Sequence, residues 1–126
     1  MLVRQLADIA CTERTVGGNT WTSRRLLMRS DGLGFSLHDT LINAGTETVM
    51  HYPNHMVAVY CIDGEGTVTD TADGTVYSLR PGTVYALDQH EAHIVQAATD
   101  MRMMYAIQHQ PTMRGTMTRI EKTGSN

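Results

Sequence analysis

Residues Met50 to Gly66 read MHYPNHMVAVYCIDGEG, and the fold turns on how this stretch is read. Two histidines, His51 and His55, precede an unbroken apolar run from Met56 to Ile62. The run is short for a helix, and Val57, Val59 and Tyr60 favour a strand. Asp63-Gly64 and Gly66 follow as a tight turn, where glycine takes backbone conformations closed to other residues. A buried strand entered through polar residues and left by a turn is the expected centre of a small β-barrel.

The flanking segments agree. Working outward, Phe35–Asn43 reads as a strand with Ser36, His38, Thr40 and Ile42 on one face. Trp21–Met28 reads as another, with Trp21, Ser23 and Arg25 sharing a face. On the C-terminal side, Thr67–Thr71 and Thr75–Leu79 flank an Asp-Gly hairpin turn at Asp73-Gly74. Arg80-Pro81-Gly82 turns into Thr83–Leu87. His93–Gln96 and Met101–Gln108 complete about ten short strands at the spacing of an all-β barrel or sandwich. At the N-terminus, Met1–Val3 is expected as a short strand before a turn of helix, and residues 11–20 as a loop. Met101, Met103 and Met104 are expected to fill the core.

With 126 residues the chain is expected to form one domain, 1–126, with 110–126 as an irregular tail. The net charge of -3, and a single adjacent basic pair at Arg24-Arg25, argue against nucleic acid. No apolar segment has the length to cross a bilayer, and MLVRQLADIA lacks an apolar core with a cleavage site. Cys61 lies in the apolar strand and is expected as a reduced, buried thiol; a cytoplasmic protein is expected. His90 and His109 read as exposed and without function, and Asp63, Glu65 and Asp73 as solvated turn residues.

Glycines and proline stand at the spacing of the cupin jelly roll. Gly45 is followed by five residues and His51, and Gly64 closes this first motif. Gly74 leads to Pro81-Gly82 in the second. The usual ligand positions are largely vacant: Pro53 stands for the second histidine and Val57 for the glutamate, while the last ligand position falls near Tyr85.

A closer resemblance runs from MLVRQL through WTSRRLLMRSDGLGFSLHDT, NAGTETVMHYPNH and LRPGTVYALDQHEAHIV. The chain resembles the ectoine synthase family of cupin hydro-lyases from Met1 to about Gln108. That resemblance implies ring closure of N-γ-acetyl-diaminobutyrate by loss of water, an all-β jelly-roll barrel, a head-to-tail homodimer and a small amino-acid derivative as partner. It implies iron (Fe2+) held by a glutamate, a tyrosine and a histidine. The tyrosine matches Tyr85 and the histidine His93, whereas Val57 replaces the glutamate. His51, His55, Glu47 and Glu91 remain as substitutes, His55 first, with zinc as another metal or no metal at all. The substrate residues match Trp21, Arg25 and Thr40, with Ser23 on the same face, and the catalytic residues match Tyr52 and His55. Tyr105 replaces a cysteine and Ile107 a phenylalanine in the pocket, and Gly115 and Met117 replace a Glu-x-His pair.

Three functions are weighed on these residues. One is an ectoine synthase-like lyase, or a diverged lyase on a related small amino-acid derivative. A second is a small-molecule-binding cupin with impaired catalysis and a weak or absent metal site. The third is a structural or regulatory β-barrel whose pocket is filled, against which the retained Trp21, Arg25, Thr40, Tyr85 and His93 favour a working pocket. On their residue types alone, Trp21 reads as core and Arg25 as solvated or structurally paired; the resemblance turns both toward a ligand, whose carboxylate the planar guanidinium of Arg25 would suit.

Overall fold

The structure is a computed structural model and describes residues 1–88 and 91–109. Among the described residues it has one α-helix, the single turn α1 (Leu6–Ile9), a 3-10 turn at Arg29–Asp31, and ten strands. They are β1 (Thr15–Gly17), β2 (Trp21–Leu27), β3 (Phe35–Ile42), β4 (Glu47–Met50), β5 (Met56–Asp63), β6 (Gly66–Asp70), β7 (Val76–Leu79), β8 (Val84–Leu87), β9 (His93–Ala97) and β10 (Met101–Gln108). The larger sheet has the order β1-β2-β3-β10-β5-β8 and the smaller β4-β9-β6-β7, and every pairing is antiparallel.

The stretch from Met56 onward is the strand it reads as. Val57, Val59 and Cys61 point inward and are buried, and they meet Val68, Leu79, Val95 and Ala97 of the other sheet in one core. Alternating residues of β10 complete it: Met101, Met103, Tyr105 and Ile107. Met104, expected in that core, lies half-buried on the opposite face, because a strand's side chains alternate and its neighbours already point in. Two other expectations change. Met1–Val3 forms no strand, and Thr15–Gly17, expected as loop, adds an edge strand to β2. The edge needs only backbone groups, so the polar composition of residues 11–20 concealed it.

Gly64 shows why the turn after β5 needs glycine. Its φ is +90°, and a Cβ there would strike the Asp100 carbonyl oxygen and stand 2.7 Å from the Cα of Met101. Gly82 (φ 95°) lets the chain turn from β7 into β8, with its N–H donating to the Cys61 carbonyl at 2.9 Å.

The outer face of the larger sheet carries a buried ion cluster. Asp39 of β3 is 1% exposed and accepts from Arg24 Nη2 of β2 at 2.6 Å and Arg102 Nη2 of β10 at 2.6 Å. Burial pushes its carboxyl up, but the hydrogen bonds from Arg102 and Arg24 outweigh that and hold it below the ordinary value of 3.8. At the N-terminal end, Asp31 joins Arg4 (2.9 Å) and Arg14 (3.2 Å), tying the segment before β1 to the β2–β3 turn.

Because the folded pKa of Asp39 lies below its unfolded one, its stabilising contribution is complete above pH 3.8 and is lost as pH falls through the folded pKa. Asp39→Asn is expected to lower stability by about 2 kcal/mol near neutrality, since two charge-assisted bonds are weakened. Urea titrations at neutral and acidic pH check this; an unchanged midpoint at neutral pH would show the cluster to be dispensable.

Candidate active site

The register of the larger sheet sets five side-chain positions in a row across its inner face. Arg25 of β2 pairs with His38 of β3, His38 with Tyr105 of β10, Tyr105 with Val59 of β5, and Val59 with Tyr85 of β8. The next row along the strands holds Ser36, Ile107, Val57 and Leu87. Opposite, on the smaller sheet, Met50 pairs with His93 and His93 with Asp70.

Around the Arg25 end of this row lies a cavity of about 310 Å³. Trp21, Ser23, Arg25, Thr40, Tyr52, Tyr105 and Ile107, all singled out from the sequence, line it together. The Arg25 Nε and Ser23 Oγ are buried without a hydrogen-bond partner among the described residues. The arginines of the four ion pairs found among the described residues are Arg4, Arg14, Arg24 and Arg102; Arg25 is in none of them. A desolvated guanidinium donor with no acceptor is costly, and an anionic ligand removes the cost. Trp21 is placed beside it by β2 alternation, and Gly18 leaves room for the indole, since a Cβ there would come within 2.6 Å of Trp21 Cε2.

His38 also lines this cavity and was not singled out as a site residue. Its signal was available, because it shares a strand face with Ser36 and Thr40. Burial pushes its imidazole down, with further lowering by the charges of Arg25 and His109, to about 4. His38 is therefore neutral at neutral pH. Burial raises the Tyr52 phenol, against an opposing pull from Arg25, so Tyr52 stays protonated.

Tyr85 and His93 line a second cavity, of about 640 Å³, at the seam between the edge strands β7 and β8. Their rings meet edge to face with centroids 5.7 Å apart. Among the described residues the Tyr85 hydroxyl and His93 Nε2 are buried and make no hydrogen bond of good geometry, with the Tyr105 hydroxyl close to that of Tyr85. His93 Nδ1 lies 3.2 Å from the Glu91 carbonyl, which only accepts, so Nδ1 carries the proton and Nε2 presents a lone pair. Burial lowers the His93 pKa, and burial raises the Tyr85 phenol despite its Tyr105 neighbour.

His55 lines neither cavity: its Nδ1 lies 3.0 Å from the Gln108 carbonyl and its ring meets that of His109 edge on. His109, expected as exposed, is half-buried, with Nε2 2.5 Å from Ser36 Oγ; β10 ends there and folds it against β3. His90, Gly115 and Met117 lie outside the described residues.

These donors test the metal that the resemblance implies. His93 Nε2 and the Tyr85 hydroxyl are two lone-pair donors, but the phenol is held protonated. Val57, 3% exposed in the adjoining row, offers only methyl groups. Among the described residues no three His, Cys, Asp or Glu side chains group so as to hold a metal ion. One imidazole and one phenol do not fit iron or zinc as a protein ligand set.

A two-sheet antiparallel barrel with polar side chains converging on its interior defines a cupin. A cupin domain of an Enterobacter cloacae transcriptional regulator shares this fold, with a TM-score of 0.61 at 18% identity, covering 74% of this chain and 99% of that one. The chain belongs to the ectoine synthase family, whose model matches residues 1–125. It is 52% identical to the L-ectoine synthase of Sporosarcina pasteurii over 122 residues, 96% of this chain and 90% of that one. It superposes on the ectoine synthase of P. lautus with a TM-score of 0.83 at 49% identity, covering 86% of this chain and 78% of that one. Its function is thus ectoine synthase-like.

His38 is expected to titrate near pH 4, and Arg25→Gln to raise that midpoint by removing one of the charges that depress it. Between the ordinary imidazole value of 6.5 and about 4 the unfolded chain takes up a proton that the folded chain refuses, so His38 makes the fold less stable as pH falls through this window. Histidine titration by NMR checks both; a midpoint near 6.5 would show the ring to be solvated.

Proposed function

We propose that this chain binds N-γ-acetyl-diaminobutyrate, or a close N-acylated diamino acid, and closes its ring by loss of water. The buried, partnerless Arg25 Nε is the observation that supports this reading. The ligand's carboxylate occupies Arg25, and its aliphatic body packs on Trp21. Ring closure forms a bond from the free amine to the amide carbon and breaks that carbon's bond to oxygen, which leaves as water with both amine protons. Neutral His38 accepts a proton as the amine attacks, and Tyr52, held protonated, donates one toward the departing oxygen. These groups supply positioning and proton transfer. Polarising the amide carbonyl is the step for which the Tyr85–His93–Val57 corner offers least, so turnover is slow.

A second reading, binding without turnover, is favoured by Val57 at the position of the missing carboxylate. One experiment separates the two. Ectoine formation and bound iron are measured for the wild type, Arg25→Gln and Val57→Glu, each with iron added. Wild type is expected to hold little iron and to cyclise slowly. Arg25→Gln should weaken binding by about 10- to 100-fold, the worth of a charge-assisted hydrogen bond. Val57→Glu should raise bound iron. Stoichiometric iron in the wild type would refute the reading of the donor set, and unchanged affinity in Arg25→Gln would refute the carboxylate site.

We also propose that the chain is a homodimer working in the cytoplasm. The edge of β8, to which no strand pairs among the described residues, with Val84 62% exposed and Tyr60 of the adjacent β5 48% exposed, supports the pairing. Among the described residues no helix is long and apolar enough to cross a membrane. Sedimentation at the mass of one chain would overturn the dimer.

A further inference from the structure

We propose that Tyr105 is the specificity-determining residue of this barrel, walling off the Arg25 cavity from the Tyr85–His93 pair so that a ligand held by Arg25 is not read by His93. The inference rests on carboxylate anchoring at Arg25. Four buried side-chain atoms make no hydrogen bond of good geometry among the described residues, and their residues divide two and two: Ser23 and Arg25 line one cavity, Tyr85 and His93 the other, with the Tyr105 hydroxyl next to that of Tyr85. The two cavities share no lining residue.

What stands between them is defined by register. Arg25 and Tyr85 lie four strands apart, a backbone separation of roughly 19 Å at the usual strand spacing. Tyr105 is the middle position of that row and is 2% exposed. Its hydroxyl donates to Met50 Sδ at 3.2 Å. Met50 belongs to the opposite sheet and pairs there with His93, so the phenol spans the space between the sheets. Tyr52 covers His93 as well: it lines the Arg25 cavity while its ring stacks on the imidazole, with centroids 6.4 Å apart and an interplanar angle of 27°.

A ligand anchored on Arg25 therefore presents its far end to Tyr105, Ile107 and Tyr52. The lone pair of His93 lies behind them. A thioether is a weak acceptor, so packing of the ring rather than its hydrogen bond holds the wall. Removing the ring joins the cavities and lets an amide or amine at the ligand's far end reach His93 and Tyr85.

The test follows the imidazole nitrogen resonances of the full chain as N-γ-acetyl-diaminobutyrate is added, in the wild type and Tyr105→Ala. In the wild type the His38 signals are expected to shift and those of His93 to stay. In Tyr105→Ala both should shift. If loss of the buried ring prevents folding, Met50→Ala removes the opposite half of the wall and leaves β10 intact, with the same expectation. A His93 shift in the wild type, or its absence in an opened, folded variant whose His38 responds, overturns the partition. A still His38 in the wild type overturns carboxylate anchoring, and the partition with it.

Discussion

The pairing of β10 between β3 and β5 is the constraint on which the rest depends. Its register with β3 runs unbroken from Met101 to Gln108, and its slip against β5 falls at Arg102/Met103, before the pocket rows begin. A slip of one residue there would turn Tyr105 and Ile107 outward and empty the core. Strands β2, β3 and β10 are clamped from outside by Asp39 with Arg24 and Arg102, one position along from the His38 row. An ion cluster on one face thus holds the alignment that builds a ligand cavity on the other.

The contrast between the arginines of β2 carries the functional argument. Arg24 points outward and shares Asp39 with Arg102, and its charge is used in holding strands together. Arg25, the next residue, points inward and lines a cavity with Trp21 and Tyr52, and among the described residues it makes no ion pair. Strand alternation alone separates the two roles. The interior thus sets Arg25, which makes no ion pair among the described residues, beside a neutral histidine and protonated phenols.

Two departures from the family resemblance fall on adjoining rows of one sheet. Val57, at the position where the resemblance implies a glutamate, is a core residue, and so is Tyr105 in the row beside it. Both are accommodated without disturbing the barrel, since a valine and a tyrosine suit strand positions and pack against their neighbours. The chain keeps a fold that superposes on an ectoine synthase with a TM-score of 0.83 while both residues pack in its core.

Much of this was legible in the residues themselves. Alternation in Trp21–Arg25 and Phe35–Ile42 assigned their faces, and the positions of Gly64, Gly74 and Gly82 marked turns, because these are local consequences of backbone geometry. The family match placed Tyr85 and His93, and named Val57 as the residue that breaks the set. Other features required the assembled sheets. Asp39 became a buried ion centre because its partners come from strands far apart in the chain. His109 met Ser36 only through the end of the β10–β3 ladder. The division of the interior by Tyr105 and Met50 depends on a contact between opposite sheets across 55 residues of sequence. Local sequence dictates which face a side chain takes, whereas the company it keeps there is set by strands that register and long-range packing bring together.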